Sequence, residues 1–164
     1  MRVIVCDAGP IIHLNEVNAL HLLKNVGEIS LPYRVFWEII SVTNLADNFP
    51  EWLKVVKLSS SQIKEAETWA KVGDLHTGEA EAFVLAKAEK ADWLLTDDSA
   101  ARLFSSLFGI EVHGSLGIIL WNVAHDYISQ REAERILNNL KQSSLWLSAK
   151  VFQEALNAIK EMKS

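Results

Sequence analysis

Residues 94–102 read LLTDDSAAR. A short apolar run from Trp93 stops at the hydroxyl of Thr96, two aspartates stand side by side, and Ser99 opens a helical segment reaching Phe108. The chain makes the same transition near its start. RVIVC, 2–6, is β-branched and uninterrupted, as in a parallel strand covered on both faces. Asp7 ends it, Gly9-Pro10 turns the chain, and Pro10 suits the first turn of a helix.

Working outward, one or two short helices carry Leu14, Val17, Leu20, Leu22 and Leu23, and a strand at Ile29 and Leu31 stops at Pro32. Tyr33 to Thr43 is helical, with Val35, Phe36, Ile39, Ile40 and Val42 as its stripe. A loop at 44–51, a short strand VVKL at 55–58 and a Ser-capped helix to about Val72 follow. Thr77 begins a helix that is apolar nearly all round, WLLT at 93–96 is a strand, and Ile110 to Val112 is another. Ser115 caps a helix through Val123. Two further helices lie near Arg131–Lys141 and Ala149–Met162, the last capped by Ser148 with Phe152, Ala155, Leu156 and Ile159 as its apolar face. Such alternation predicts an α/β chain with a central parallel sheet between helix layers and extra C-terminal helices.

At 164 residues the chain fits one domain, with a core over about 1–125 and a helical extension over about 126–164. Hydrophobic residues at 49% exclude disorder on composition, and a net charge of -5 is the wrong sign for holding nucleic acid by bulk attraction. Cys6 alone permits neither an internal disulfide nor a cysteine-based zinc site, and it reads as a small buried strand residue. The apolar residues after Arg2 are too few for a signal peptide, and the run at 117–124 is too short to span a bilayer, so the expectation is a soluble cytoplasmic protein with no membrane partner.

Ligands of open parallel sheets gather beyond the carboxyl ends of the strands, and that is where Asp7 and Thr96-Asp97-Asp98 fall. Glu38 lies beside the apolar stripe of its helix, roughly 110° from its centre. Glu79 and Glu81 occupy the first turn of a helix with little polar surface. Each acid has a bland explanation. Asp7 and Asp98 suit helix caps, Glu38 a solvated rim, and Glu79 and Glu81 the positive end of a helix. Caps and dipoles do not explain four acidic sites at strand ends and apolar helices with no basic residue adjacent to Asp7, Glu38 or Glu81. Crowded carboxylates call for a cation between them, and hard oxygen donors without thiolates suit Mg²⁺ or Mn²⁺, one or two ions.

The runs VIVCDAGPIIHL, GEAEAFVLAKAEKADWLLTDDSAAR and VHGSLGIIL resemble PIN-domain proteins, in particular prokaryotic ones with Asp-Ala-Gly-Pro, Gly-Glu-x-Glu-Ala and Asp-Asp motifs. The resemblance covers residue 3 to about 120. It implies a metal-dependent nuclease acting on RNA, with Asp7, Glu38, Glu81 and Asp98 as catalytic acids and Thr96 as the accompanying hydroxyl. The metal set is drawn from these four acids with Glu79 and Asp97. Glu81 is preferred over Glu79 because Val84, Leu85 and Ala88 follow it at the family's helical offsets; residues two apart point about 160° apart on a helix, so both do not ligate one ion. Ala8 stands where the family often has a hydroxyl.

In this reading the ions activate a water and neutralise charge on the phosphodiester, Glu81 or Asp98 relays a proton, and Thr96 and Arg102 serve substrate binding. Arg102, four residues after Asp98, suits a salt bridge to that aspartate equally well. The leading function is a Mg²⁺- or Mn²⁺-dependent ribonuclease resembling the toxin of a toxin–antitoxin pair, with RNA as substrate, an antitoxin protein as partner and a homodimeric state. The alternative is a PIN-fold binding module that no longer cuts. A haloacid-dehalogenase-like phosphatase is set aside because Gly9 stands where its second aspartate is needed, and a receiver domain because its acids come early in the chain. His13 and His76, near the motifs, read as structural residues, with substrate contact as the alternative. Trp37 is expected to be exposed, while Trp121, Trp146 and Phe152 are expected to supply an apolar patch.

Overall fold

A computed structural model describes residues 1–162. Five strands, β1 (Val3–Cys6), β2 (Glu28–Pro32), β3 (Leu53–Val56), β4 (Trp93–Leu95) and β5 (Glu111–His113), form one sheet in the order β3-β2-β1-β4-β5. Every pairing is parallel. Parallel neighbours need crossover connections, and helices supply them: α1 (Ala8–Glu16) and a 3₁₀ turn (Leu20–Asn25), then α2 (Tyr33–Val42), α3 (Ser60–Gly73), α4 (Thr77–Glu89) and α5 (Ser99–Leu107), while α6 (Ser115–Ala124) follows the last strand. Helices α7 (Gln130–Leu140) and α8 (Ala149–Glu161) complete the described chain.

The pleat explains the three layers. Alternate side chains of a strand face opposite sides, so Ile4 and Cys6 of β1 enter a core with residues of α1, α2, α6, α7 and α8, while Val5 enters a second core with Ala82, Leu85 and Ala86 of α4 and Leu94 of β4. Apolar residues on both faces of β1 are therefore what a sandwiched strand requires, and the α/β/α arrangement is the one the alternation predicts. Cys6 is buried, and burial followed by the charge of Asp7 pushes its thiol well up from the ordinary value.

Several elements are displaced from the sequence expectation. Gly9-Pro10 does not turn the chain; α1 starts at Ala8 because the Asp7 side chain accepts a hydrogen bond from the Ala8 N–H and caps the helix. The third strand begins at Leu53, two residues earlier than VVKL, since Leu53 pairs with Ile29 beside the core. Val42, placed in the stripe of α2, is 65% exposed, because only Val35 and Ile39 of that helix reach full burial. The patch expected from Trp121, Trp146 and Phe152 does not form. Phe152 is buried, Trp121 is stacked on His125 and Tyr127, and only Trp146 stands out in solvent. Among the described residues no helix is long and apolar enough to cross a membrane.

Chain order reverses direction between β1 and β4: the chain moves outward through β2 and β3, then returns to build β4 and β5 on the other side. That reversal opens a crevice beyond the carboxyl ends of β1 and β4. Cys6 pairs with Leu95, so the next residues out, Asp7 and Thr96, lie side by side at its mouth.

Candidate metal and phosphodiester site

A hollow of about 860 Å³ occupies this crevice. Asp7, Glu38, Glu79, Asp97 and Asp98 all line it, and they come from the end of β1, from α2, from the first turn of α4 and from the β4–α5 junction. Acids spread over ninety residues of chain thus share one space, within the usual size of a ligand site.

Asp7 is the deepest of them, 6% exposed. Its Oδ1 accepts from the Ala8 N–H at 2.8 Å and its Oδ2 from the Thr96 hydroxyl at 3.2 Å. Thr96 thereby provides a hydroxyl contact that Ala8 lacks the atom to make. Burial pushes the Asp7 carboxyl up to about 6 against those two hydrogen bonds, with Asp98 and Asp97 adding repulsion. Glu79 accepts from the His76 backbone N–H at 3.0 Å, and burial raises it to about 7, with the Asp98 and Asp7 charges acting the same way. Glu38 is raised first by burial and then by Asp7. Its carboxylate leans over the backbone of Gly78, where an added Cβ would lie 2.7 Å from Oε2. A side chain at that position would displace it.

The adjacent aspartates have divided their work. Asp97 accepts from His13 Nδ1, the Ser115 N–H and the Ser115 hydroxyl, each at 2.6 Å, and so ties α1, β4 and the start of α6 together. Asp98 caps α5 through Ala101 N–H at 2.8 Å with one oxygen; its other oxygen has no protein partner among the described residues. Caps and acidic hollow are therefore compatible, because a carboxylate has two oxygens to spend.

Glu79 and Glu81 are separated by the same helical geometry. Glu79 lines the hollow, whereas Glu81, 5% exposed, turns to Arg34 Nε at 2.5 Å and is absent from the lining. Arg102 also lines the hollow. It forms no ion pair within 4 Å among the described residues, and its Nη2 reaches the Thr96 carbonyl only at 3.5 Å.

No ion pair within 4 Å compensates Asp7, Glu38, Glu79 or Asp98 among the described residues. Neither do three of the acids and histidines there already stand at metal-ligating spacing. The donor chemistry fits a hard dication: carboxylate oxygens without a thiolate facing the hollow, two of them lifted toward neutral pH by burial and then by their neighbours' negative charge.

Sequence reasoning missed one part of the lining. Leu145, Trp146, Leu147 and Val151, from the α7–α8 loop and the start of α8, also line the hollow. It also missed the bracing role of His13 and Ser115. No local periodicity announces a partner 84 residues away, although a tryptophan between two leucines in a Ser-rich loop is a visible oddity.

A family model described as a PIN domain matches residues 3–161. No curated protein matches the chain.

Proposed function

The chain belongs to the PIN-domain family, a nuclease-type fold, and from that premise we propose that it is a Mg²⁺- or Mn²⁺-dependent endoribonuclease. One observation carries the reading. Four carboxylates without an ion-pair partner among the described residues, Asp7, Glu38, Glu79 and Asp98, line one hollow at the point where the sheet order reverses.

These four would hold the ion, with Asp97 behind them as a brace. Glu81 keeps the place the family resemblance gives it but points to Arg34 here. A bound dication supplies an activated water at neutral pH and screens charge on the phosphodiester oxygens. The chain's own residues do the rest. Thr96 fixes the rotamer of Asp7 through its hydroxyl. Gly78 leaves room for the Glu38 carboxylate. Arg102, a cation with no competing carboxylate within 4 Å among the described residues, binds the phosphate. The Asp98 oxygen without a protein partner among the described residues would take up the proton lost by an attacking water.

The test is cleavage of a labelled RNA with Mn²⁺ or Mg²⁺ present and then chelated. The reading expects metal-dependent products that disappear in Asp7→Asn; persistence of cutting in chelator, or in that variant, overturns it. An antitoxin protein, a homodimeric state and a cytoplasmic location extend the same proposal by family resemblance. A small neighbouring gene whose product co-purifies with the chain and blocks cleavage would support the toxin role.

One observation favours a second reading. The acids share a hollow without standing at ligand spacing among the described residues, as a binding module that has lost cleavage would allow. RNA binding unaffected by metal, together with no cleavage in Mn²⁺, supports the module.

A further inference from the structure

Part of the hollow is lined by a loop whose side chains alternate. Leu145 and Leu147 are partly buried against the main core, while Trp146 between them is 82% exposed. The alternation is held in place from both ends. Upstream, Glu16 of α1 accepts from the Ser144 N–H at 2.8 Å and from the Ser144 hydroxyl, and the Ser143 hydroxyl accepts from Leu145 N–H at 3.2 Å. Downstream, Ser148 caps α8 by accepting from Val151 N–H at 3.1 Å. A loop pinned this firmly, with its largest apolar side chain turned outward, has not failed to bury Trp146; its anchors leave the indole outside.

Position gives the indole an occupant. Trp146 lines the same hollow as Asp7, Glu38, Glu79, Asp98 and Arg102. We propose that Trp146 is a stacking platform for an unpaired nucleobase of the strand whose phosphate lies over the acids. This rests on the nucleolytic reading of that hollow. A π-face accepts any base, so the platform adds affinity without sequence preference, and it requires a base that is free of its complement. A paired base presents only its edge, and duplex RNA would be rejected at this wall. Aromatic stacking also supplies attraction that does not depend on charge, which suits a chain of net charge -5.

The experiment compares the full chain with Trp146→Ala and Trp146→Phe on one RNA oligonucleotide, single-stranded and annealed to its complement. Binding is read in chelator, where no cutting is expected, and cleavage in Mn²⁺. Circular dichroism confirms that both variants fold, as the exposure of Trp146 allows. The expected result is a roughly ten- to hundred-fold loss of single-strand affinity in Trp146→Ala, partial retention in Trp146→Phe, and weak duplex binding that neither variant changes. Quenching of tryptophan fluorescence by the single strand should fall in both variants.

Parental affinity and strand preference in Trp146→Ala would overturn the platform even if that variant still cuts, and the nuclease reading would stand. Lost affinity with no cutting by any form would leave the platform and remove the nuclease. If Trp146→Ala instead turns a dimer into a monomer while RNA affinity holds, the indole belongs to an interface between copies and the platform is overturned.

Discussion

Asp7 sets the energetics of the hollow. Unfolded, it titrates near its ordinary 3.8; folded and without metal it titrates at about 6. The fold therefore binds that proton more tightly, so the associated stability is full below about pH 4 and disappears as the pH rises through about 6. The difference corresponds to at most about 3 kcal/mol. Metal-free protein should lose stability between pH 4 and 7. Asp7→Asn should flatten that slope and raise Tm at pH 7 by roughly 3–8 °C, measured by thermal unfolding across pH; parallel slopes for the two proteins would exclude Asp7 as the source. Glu79 and Glu81 give a second residue-scale prediction. Glu79→Gln should weaken Mn²⁺ binding about tenfold or more, because Glu79 lines the hollow, and Glu81→Gln much less, because Arg34 holds Glu81. Calorimetric titration with Mn²⁺ reads both, and the reverse order would return the ligand role to Glu81. At this scale the sequence made the acids visible as anomalies, singly and in order. What each oxygen does was not legible, since the Asp97 brace depends on His13 and Ser115, partners far away in the chain.

Elements bring the acids to one hollow, and α4 contributes Glu79 to it. Its first turn passes beneath Glu38 at Gly78. Gly78→Ala should leave Tm unchanged or slightly raised, since alanine favours a helix by up to about 1 kcal/mol. The new methyl displaces the Glu38 carboxylate, so Mn²⁺ binding and cleavage should both drop at least tenfold. Unchanged metal affinity in a folded Gly78→Ala protein would show that Glu38 takes no part. Helices with strong signatures were legible almost to the residue: Ser59 and Gln62 form a reciprocal cap on α3, and Ser148 caps α8. Boundaries set by pairing were less so. β3 starts where Ile29 offers it a partner, a fact written in β2 and not in the strand itself. The outward turn of Val42 likewise follows from how α2 lies on the sheet, which its own periodicity does not contain.

For the whole molecule, the C-terminal helices belong to the main core. Ala133, Ile136, Leu137 and Leu140 of α7 and Phe152, Ala155 and Ile159 of α8 are buried in the same cluster as Ile4, Cys6 and Leu95. A chain stopped after residue 125 should expose that face and aggregate or lose cooperative unfolding, as judged by solubility and thermal melts; a soluble, cooperatively folding fragment would show that the extension is dispensable. The layered parallel sheet was readable from alternation alone, and with it the edge where the acids gather. The part of the lining from the α7–α8 loop was not, because Leu145, Trp146 and Leu147 reach the hollow through the tertiary docking of α7 and α8. The central claim is that carboxylates from β1, α2, α4 and the β4–α5 junction together hold one hard dication, and electron paramagnetic resonance titration of Mn²⁺ tests it most directly. Saturable binding by the parent chain, weakened about tenfold or more in each of Asp7→Asn, Glu38→Gln and Asp98→Asn, is the predicted result; titration curves for the three variants that overlay the parent's would contradict it.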